Sequence, residues 1–198
     1  ISRAYSLEEA TGPLASTCTS TQFEHYPSSA YVSEPAEGEI GVEVCDGQSV
    51  TFTCSEEVKD KFPAGVMLGA SRPPLSGRML MRILLHQRSY ALGIGVGSES
   101  ANLRKDPEYD DCFLGLYHGG HSVNVAAYHK RVHRGERSHD WGAETKLAIL
   151  FNFDDGSMQC FSGLEPFGEA VSMKSDEYWP MVVFWRDGDA ASIAMDYL

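Results

Sequence analysis

The chain has no apolar run near the ~20 residues that a membrane-spanning helix needs. It also has no basic start followed by an apolar stretch, the pattern of a secretory signal. Positive charge is scarce, with 16 Lys and Arg against 28 Asp and Glu in 198 residues, a formal net charge of −12. A surface of that sign repels phosphate backbones and anionic lipid. Nucleic acid is therefore not an expected partner, and membrane insertion is not expected either. Cysteine is sparse and odd in number, five residues at 18, 45, 54, 112 and 160, with no CxxC pair. That usage reads as reduced thiols of a cytoplasmic protein and not as a disulfide framework. Helical periodicity is missing too: no window of a dozen residues repeats apolar side chains every 3.6 positions, and the short run Arg78 to Leu85 is ambiguous. The chain starts at Ile1 rather than Met and so reads as an excised domain or a processed product; a monomeric domain within a larger protein is the expectation.

What is present is the alternation of strands. In Leu147 to Phe161, LAILFNFDDGSMQCF, apolar side chains fall at Leu147, Ile149, Phe151 and Phe153, a period of two that puts them on one face. Asp155-Gly156 then reads as a two-residue turn with φ > 0 at both positions, pairing Phe153 with Met158 and Phe151 with Cys160. Similar signals recur at 40–45, 49–54, 65–69, 78–86, 90–97, 112–118, 122–128, 147–153, 157–162, 181–186 and 190–197, punctuated by Asp-Gly, Gly-Gly and Arg-Pro-Pro turns. With a three-residue turn at Asp46-Gly47-Gln48, Val44 faces Val50, Val42 faces Phe52 and Ile40 faces Cys54. Cys54 and Cys160 then point inward as small hydrophobes, and Cys45 points the other way, so no Cys45 to Cys54 bridge forms.

In YALGIGVG, residues 90–97, large residues alternate with Ala91, Gly93, Gly95 and Gly97, so one face packs a core and the other lies under something close. A dinucleotide fingerprint is not made, because the third-glycine spacing and the following helix are both lacking. Residues 1–38, rich in Ser, Thr, Glu, Ala and Pro, read as a loose leader or one that drapes over the body through Phe23, Tyr26 and Tyr31. Residues 39–198 read as one all-β domain, a two-sheet antiparallel β-sandwich.

This order of strands resembles the SPRY domain, with a secondary likeness to the neuralized homology repeat. The resemblance rests on several stretches: EVCDGQSVTFTC at Glu43 to Cys54, Ser76-Gly77-Arg78 to Val96, and Phe113 to His129. It continues through KLAILFNFDDGSMQCFSGLEPFGEA at Lys146 to Ala170 and the ending from Tyr178-Trp179-Pro180 to Tyr197. Gly65-Val66 to Ile83 carries the likeness to the neuralized repeat. It implies a concanavalin-like sandwich without catalytic activity or cofactor, whose loops at one end bind a peptide or a partner domain. It further implies a place for such domains as substrate receptors of ubiquitin ligases.

Five of the seven histidines lie at 118, 121, 129, 133 and 139. The pairs His118/His121 and His129/His133 have zinc-like spacing, but neither encloses a Glu and no helix aligns the second, so ordinary surface histidines and no metal are expected. No GxSxG elbow is present. Cys112 follows Asp110 and Asp111, which work against a thiolate. The loop 128–141 places Lys130, Arg131, Arg134 and Arg137 against Glu136, a basic island in an acidic molecule. It is either a site for an acidic or phosphorylated peptide or a solvated loop. Further candidate partner contacts are Trp141, Tyr109, Arg104, Arg72 and His121, since aromatic and Arg anchors dominate interface energies. Loops 98–111, 118–121 and 128–141 are expected to form one binding face. A lectin-like sandwich that binds carbohydrate is the alternative, and a metal-dependent enzyme the third class.

Overall fold

The computed structural model describes residues 19–20, 40–45, 49–54, 64–67, 76–86, 91–98, 100–101, 109–119, 122–128, 130–134, 145–174, 178–184 and 190–198. Among them run fourteen strands, β1 (Thr19–Ser20), β2 (Ile40–Cys45), β3 (Ser49–Cys54), β4 (Ala64–Met67), β5 (Arg78–Leu85), β6 (Ala91–Gly97), β7 (Phe113–Gly119), β8 (Ser122–Ala127), β9 (Lys130–Arg134), β10 (Lys146–Asn152), β11 (Ser157–Ser162), β12 (Glu165–Ser172), β13 (Trp179–Phe184) and β14 (Ala190–Tyr197). One sheet has the order β12-β11-β10-β5-β14-β3-β2, with β1 beside the far half of β14; the other has the order β4-β13-β6-β7-β8-β9. Every pairing is antiparallel. The expected two-sheet sandwich is therefore the observed fold.

The period-two pattern explains the layering. Met79, Met81, Ile83 and Leu85 of β5, Ile149 and Phe151 of β10, Met158 and Cys160 of β11, and Ile193 and Met195 of β14 form the inner face of the first sheet. Opposite them stand Leu92, Ile94 and Val96 of β6, Leu114 and Leu116 of β7, Val125 and Ala127 of β8, and Val182 and Phe184 of β13. Each such side chain, when fully buried, contributes roughly 1.5–3 kcal/mol.

The six-stranded sheet is buried on its other face as well, where Phe113, Tyr117, Ala126, Met181 and Val183 cluster with Ala101. The glycines of β6 belong to this face. Gly97 lies between Trp179 and Phe113, and Gly93 between Val183 and Tyr117, so large neighbours flank each bare position. Gly95 faces Gly115 directly. A methyl group at position 95 would sit 2.0 Å from the carbonyl oxygen of Leu114 and 2.7 Å from the Cα of Gly115. The close neighbour expected from the glycine alternation is thus, at this point, the backbone of the paired strand.

The β2–β3 register is the one read from sequence: Val44 faces Val50, Val42 faces Phe52 and Ile40 faces Cys54. Cys54 and Cys160 are buried in the core, as their inward register requires. The β10–β11 register is not the expected one. Phe151 faces Met158 and Ile149 faces Cys160, which leaves a four-residue connection over 153–156 in place of a two-residue turn. Side-chain hydrogen bonds make the wider loop. The Asp155 carboxylate accepts from Asn152 Nδ2 at 2.9 Å and from Ser157 Oγ at 2.5 Å, while Asn152 Oδ1 accepts from the Asp154 amide at 3.2 Å. Phe153 gives its amide to the Gly77 carbonyl at 2.9 Å, and Asp154 Oδ1 accepts from the Gly77 amide at 2.8 Å. Only Gly156, at φ 62°, takes the left-handed conformation, not Asp155. The slip is two residues, so the faces keep their assignment, and Phe153 still packs on the core.

Besides the two-residue β1, which pairs with the end of β14, two strands were not read from sequence. β12 carries Pro166 and a positive-φ Gly168, and its register against β11 jumps between Met158 and Cys160, so that Met158 faces Val171 and Cys160 faces Phe167. Gln159 fills the gap. Its Nε2 donates to the carbonyls of Cys160 and Gly168 at 3.0 Å each. The other strand, β9, takes up part of the expected basic loop and defines the site considered next.

Replacing Gly95 with Ala forces two paired backbones apart. We expect Gly95→Ala to destabilise the domain by about 3 kcal/mol, read as a fall of roughly 6–12 °C in the thermal midpoint. A shift of under about 2 °C would show that the β6–β7 approach is not tight.

Candidate functional site

Among the described residues β9 is the last strand of the six-stranded sheet, paired with β8. Its sequence, KRVHR, is basic in a molecule of net charge −12. Sequence patterning misses it because only Val132 is apolar, so there is no alternation to detect. Backbone pairing supplies the strand instead: Lys130 faces Ala127, Arg131 faces Ala126, and after a bulge His133 faces Val125 and Arg134 faces Asn124. The bulge falls on Val132, which is 45% exposed. Lys130 is exposed, with no ion-pair partner among the described residues.

The turn into β9 is unusual. Tyr128 has φ 49°, and among the described residues it alone is a non-glycine residue with positive φ. Such a conformation costs of order 1 kcal/mol or more and persists where surrounding contacts determine it. Those contacts are present. The Tyr128 amide donates to the Phe113 carbonyl at 3.0 Å, and its ring lies under Lys174 Nζ at 4.2 Å. Its hydroxyl accepts from the Lys174 amide at 2.6 Å and shares a hydrogen bond with the Tyr178 hydroxyl at 2.5 Å. Tyr178, which is buried, reaches back to the Lys174 carbonyl at 3.2 Å. The β8–β9 corner of one sheet is thereby fastened to the chain leaving β12 of the other. Neither Tyr128 nor Lys174 stood out in the sequence, since an αL Tyr has no signature there.

The topology divides the expected binding loops between two ends of the sandwich. The segment ending at Asp110 leads into β7, and the β8–β9 turn lies beside it, as the Tyr128 to Phe113 hydrogen bond shows. Tyr109, 54% exposed, and Lys130 therefore belong to one end. The β7–β8 connection follows the pair Gly119/Ser122, and Arg134 closes β9 opposite Asn124, both at the other end. The expectation of a single face made by loops 98–111, 118–121 and 128–141 is corrected accordingly: antiparallel neighbours place successive turns at opposite ends. β9 itself spans the distance, about 16 Å for five residues. Arg131 and Arg134 lie on it, and their side chains fall outside the described residues, as do Arg72, Arg104, His121, Arg137 and Trp141 altogether. The side chains of His118, His129 and His133 are outside them too.

Reactive groups lie elsewhere. Burial pushes the Cys160 thiol far above its ordinary range, which makes it inert as a thiolate. Cys112 is partly exposed, its amide held by Asp110 Oδ1 at 3.0 Å. On the outer face of the first sheet, Ser192 Oγ lies 2.5 Å from His86 Nε2 and 2.7 Å from Thr51 Oγ1. Thr51 stands on the serine side of that chain, and among the described residues no carboxylate bonds the other ring nitrogen of His86, the place of the group that orients the base in a nucleophilic triad. Nearby, Arg82 grips Asp196 through two hydrogen bonds of 2.6 and 3.1 Å. The paired Asp154 and Asp155 are loop chemistry, as expected.

No family model matches the chain, and no curated protein matches it in sequence. Solved structures do. The TRIM65 PSpry domain aligns with a TM-score of 0.60 at 12% identity, covering 89% of this chain and 92% of that one. The SPRY domain of human HERC1 aligns with a TM-score of 0.50 at 12% identity, covering 81% of this chain and 97% of that one. At this identity the likeness is one of fold, and it reaches across most of the chain.

Two outcomes follow from the site. Tyr128→Phe removes a hydroxyl from the clamp and should cost about 1 kcal/mol, with faster hydrogen exchange at the Lys174 amide; unchanged exchange there would show that the clamp does not hold the corner. Under native conditions, iodoacetamide should modify Cys112 while leaving Cys54 and Cys160 untouched, as mapped by mass spectrometry. Labelling of Cys160 before unfolding would contradict its burial.

Proposed function

We propose that the chain, a β-sandwich with the fold of SPRY domains, is a non-catalytic interaction module that recognises a segment of another protein. The carrying observation is a basic strand, Lys130 exposed on it, at the border of the six-stranded sheet of an otherwise acidic molecule. Rigid scaffolds that present exposed polar and aromatic groups are suited to recognition. Opposite charge selects partners and speeds their encounter. The partner is then an acidic or phosphorylated peptide segment, engaged by Lys130, Arg131, Arg134 and Arg137, with Tyr109 at one end of β9. Trp141, Arg104, Arg72 and His121 complete the proposed contact set. The resemblance to SPRY domains supports a role as the substrate-recognition part of a ubiquitin ligase. A cytoplasmic location completes the proposal, on the sparse, odd-numbered cysteine usage without a CxxC pair.

The reading is tested by affinity capture or proximity labelling with wild type, Trp141→Ala, and a variant in which Lys130, Arg131, Arg134 and Arg137 are all Gln. The basic variant should lose acidic partners by about tenfold or more while keeping its melting temperature. Folded variants that retain every partner would refute this binding surface.

A further inference from the structure

Among the described residues the basic segment is the border strand of its sheet, and this changes how a peptide would bind. An edge strand presents a row of backbone N–H and C=O groups to whatever lies next to it. We infer that β9 binds an extended, Asp- and Glu-rich segment of a partner protein by strand addition, so that the segment becomes the seventh strand of the six-stranded sheet. The inference rests on the reading of this chain as a binder of acidic segments, and it names the mode of docking.

Four observations support it. Among the described residues the strand order of this sheet ends at β9, and β12, which passes nearby, belongs to the other sheet. Lys130, Arg131 and Arg134 put three positive charges in five residues. Arg131 and Arg134 stand opposite Ala126 and Asn124, two residues apart on β8, so acidic side chains at every second position of an added strand would run past that pair. The bulge pushes Val132 out to 45% exposure, an apolar contact point between the charges. The strand is also held in place before anything binds: the left-handed Tyr128, its hydroxyl bonds to Tyr178 and Lys174, and the Lys174 ammonium over its ring fix the start of β9. A preorganised edge loses less entropy on docking.

Basic residues and bulges on an edge strand also guard against self-association. Here the two roles coincide. A second copy would set β9 against β9 with like charges opposed, which is unfavourable across a strand pair. An acidic strand meets no such repulsion. The occupant is therefore an acidic segment of another protein and not a copy of this chain.

The test uses the full chain and a fluorescently labelled synthetic peptide that alternates Glu with Val, in three forms. One is unmodified, one is N-methylated at every Glu and one at every Val. In an extended peptide alternate amides point to opposite edges, so each methylated form blocks one edge and leaves the charge unchanged. Binding is read by fluorescence anisotropy, and protection of the Lys130–Arg134 amides by hydrogen exchange. Strand addition predicts that the unmodified peptide binds and slows exchange in β9. One methylated form should lose affinity by about tenfold or more, while the other stays within about threefold. Equal binding by all three forms would overturn strand addition and leave side-chain charge recognition standing. Undiminished binding to Lys130→Gln/Arg131→Gln/Arg134→Gln would overturn β9 as the site. No binding by any form would overturn the acidic-segment reading together with the inference built on it.

Discussion

A single interior filled from two sides by every second residue is the constraint on which this molecule depends. Strand pairs are joined by backbone hydrogen bonds that accept almost any side chain, so register is chosen by what must be buried. A slip of one residue would carry Met79, Met81, Ile83 and Leu85 to the outer face, along with their counterparts on β10 and β14. A slip of two keeps every face. That is why the 153–156 connection can be built by Asn152, Asp155 and Ser157 as a wider loop without disturbing the core. Loop chemistry decides where the chain turns, and burial decides which way it faces.

Both sheets bury part of their outer faces, the first through Leu80, Ala148, Leu150 and Phe161 and the second through Phe113, Tyr117, Ala126, Met181 and Val183. Large side chains from β7 and β13 need room on the outer face of the second sheet, and the glycines of β6 supply it. At Gly95 and Gly115 the two backbones come so close that no side chain fits on either. With both faces occupied, what this sheet offers a partner is its border. β4, at one border, has four residues, whereas β9 at the other is charged, bulged and anchored at its start. A clamp of two tyrosine hydroxyls and a lysine backbone ties that border to the opposite sheet, so the edge and the core are mechanically one unit.

The SPRY-like fold was legible in the sequence because alternation, turn residues and strand spacing all report burial, which is a local property of side chains. The β2–β3 register and the inward thiols of Cys54 and Cys160 follow from the same logic. β12 escaped because Pro166, Gly168 and the jump opposite Gln159 break the alternation. β9 escaped because its residues are almost all polar, and Tyr128 because a left-handed tyrosine is specified only by the groups that hold it.

The sequence by itself determined the class of fold, the inward and outward face of each apolar strand, and the sign of the surface charge. It also determined that basic residues gather after position 128. Only the tertiary structure decided that these residues form a strand, that the strand ends its sheet, and that Tyr109 and Lys130 share one end while Arg134 lies at the other. The reason is physical. Side-chain burial is written residue by residue, whereas an edge is defined by backbone groups whose neighbour, present or missing, lies far away along the chain.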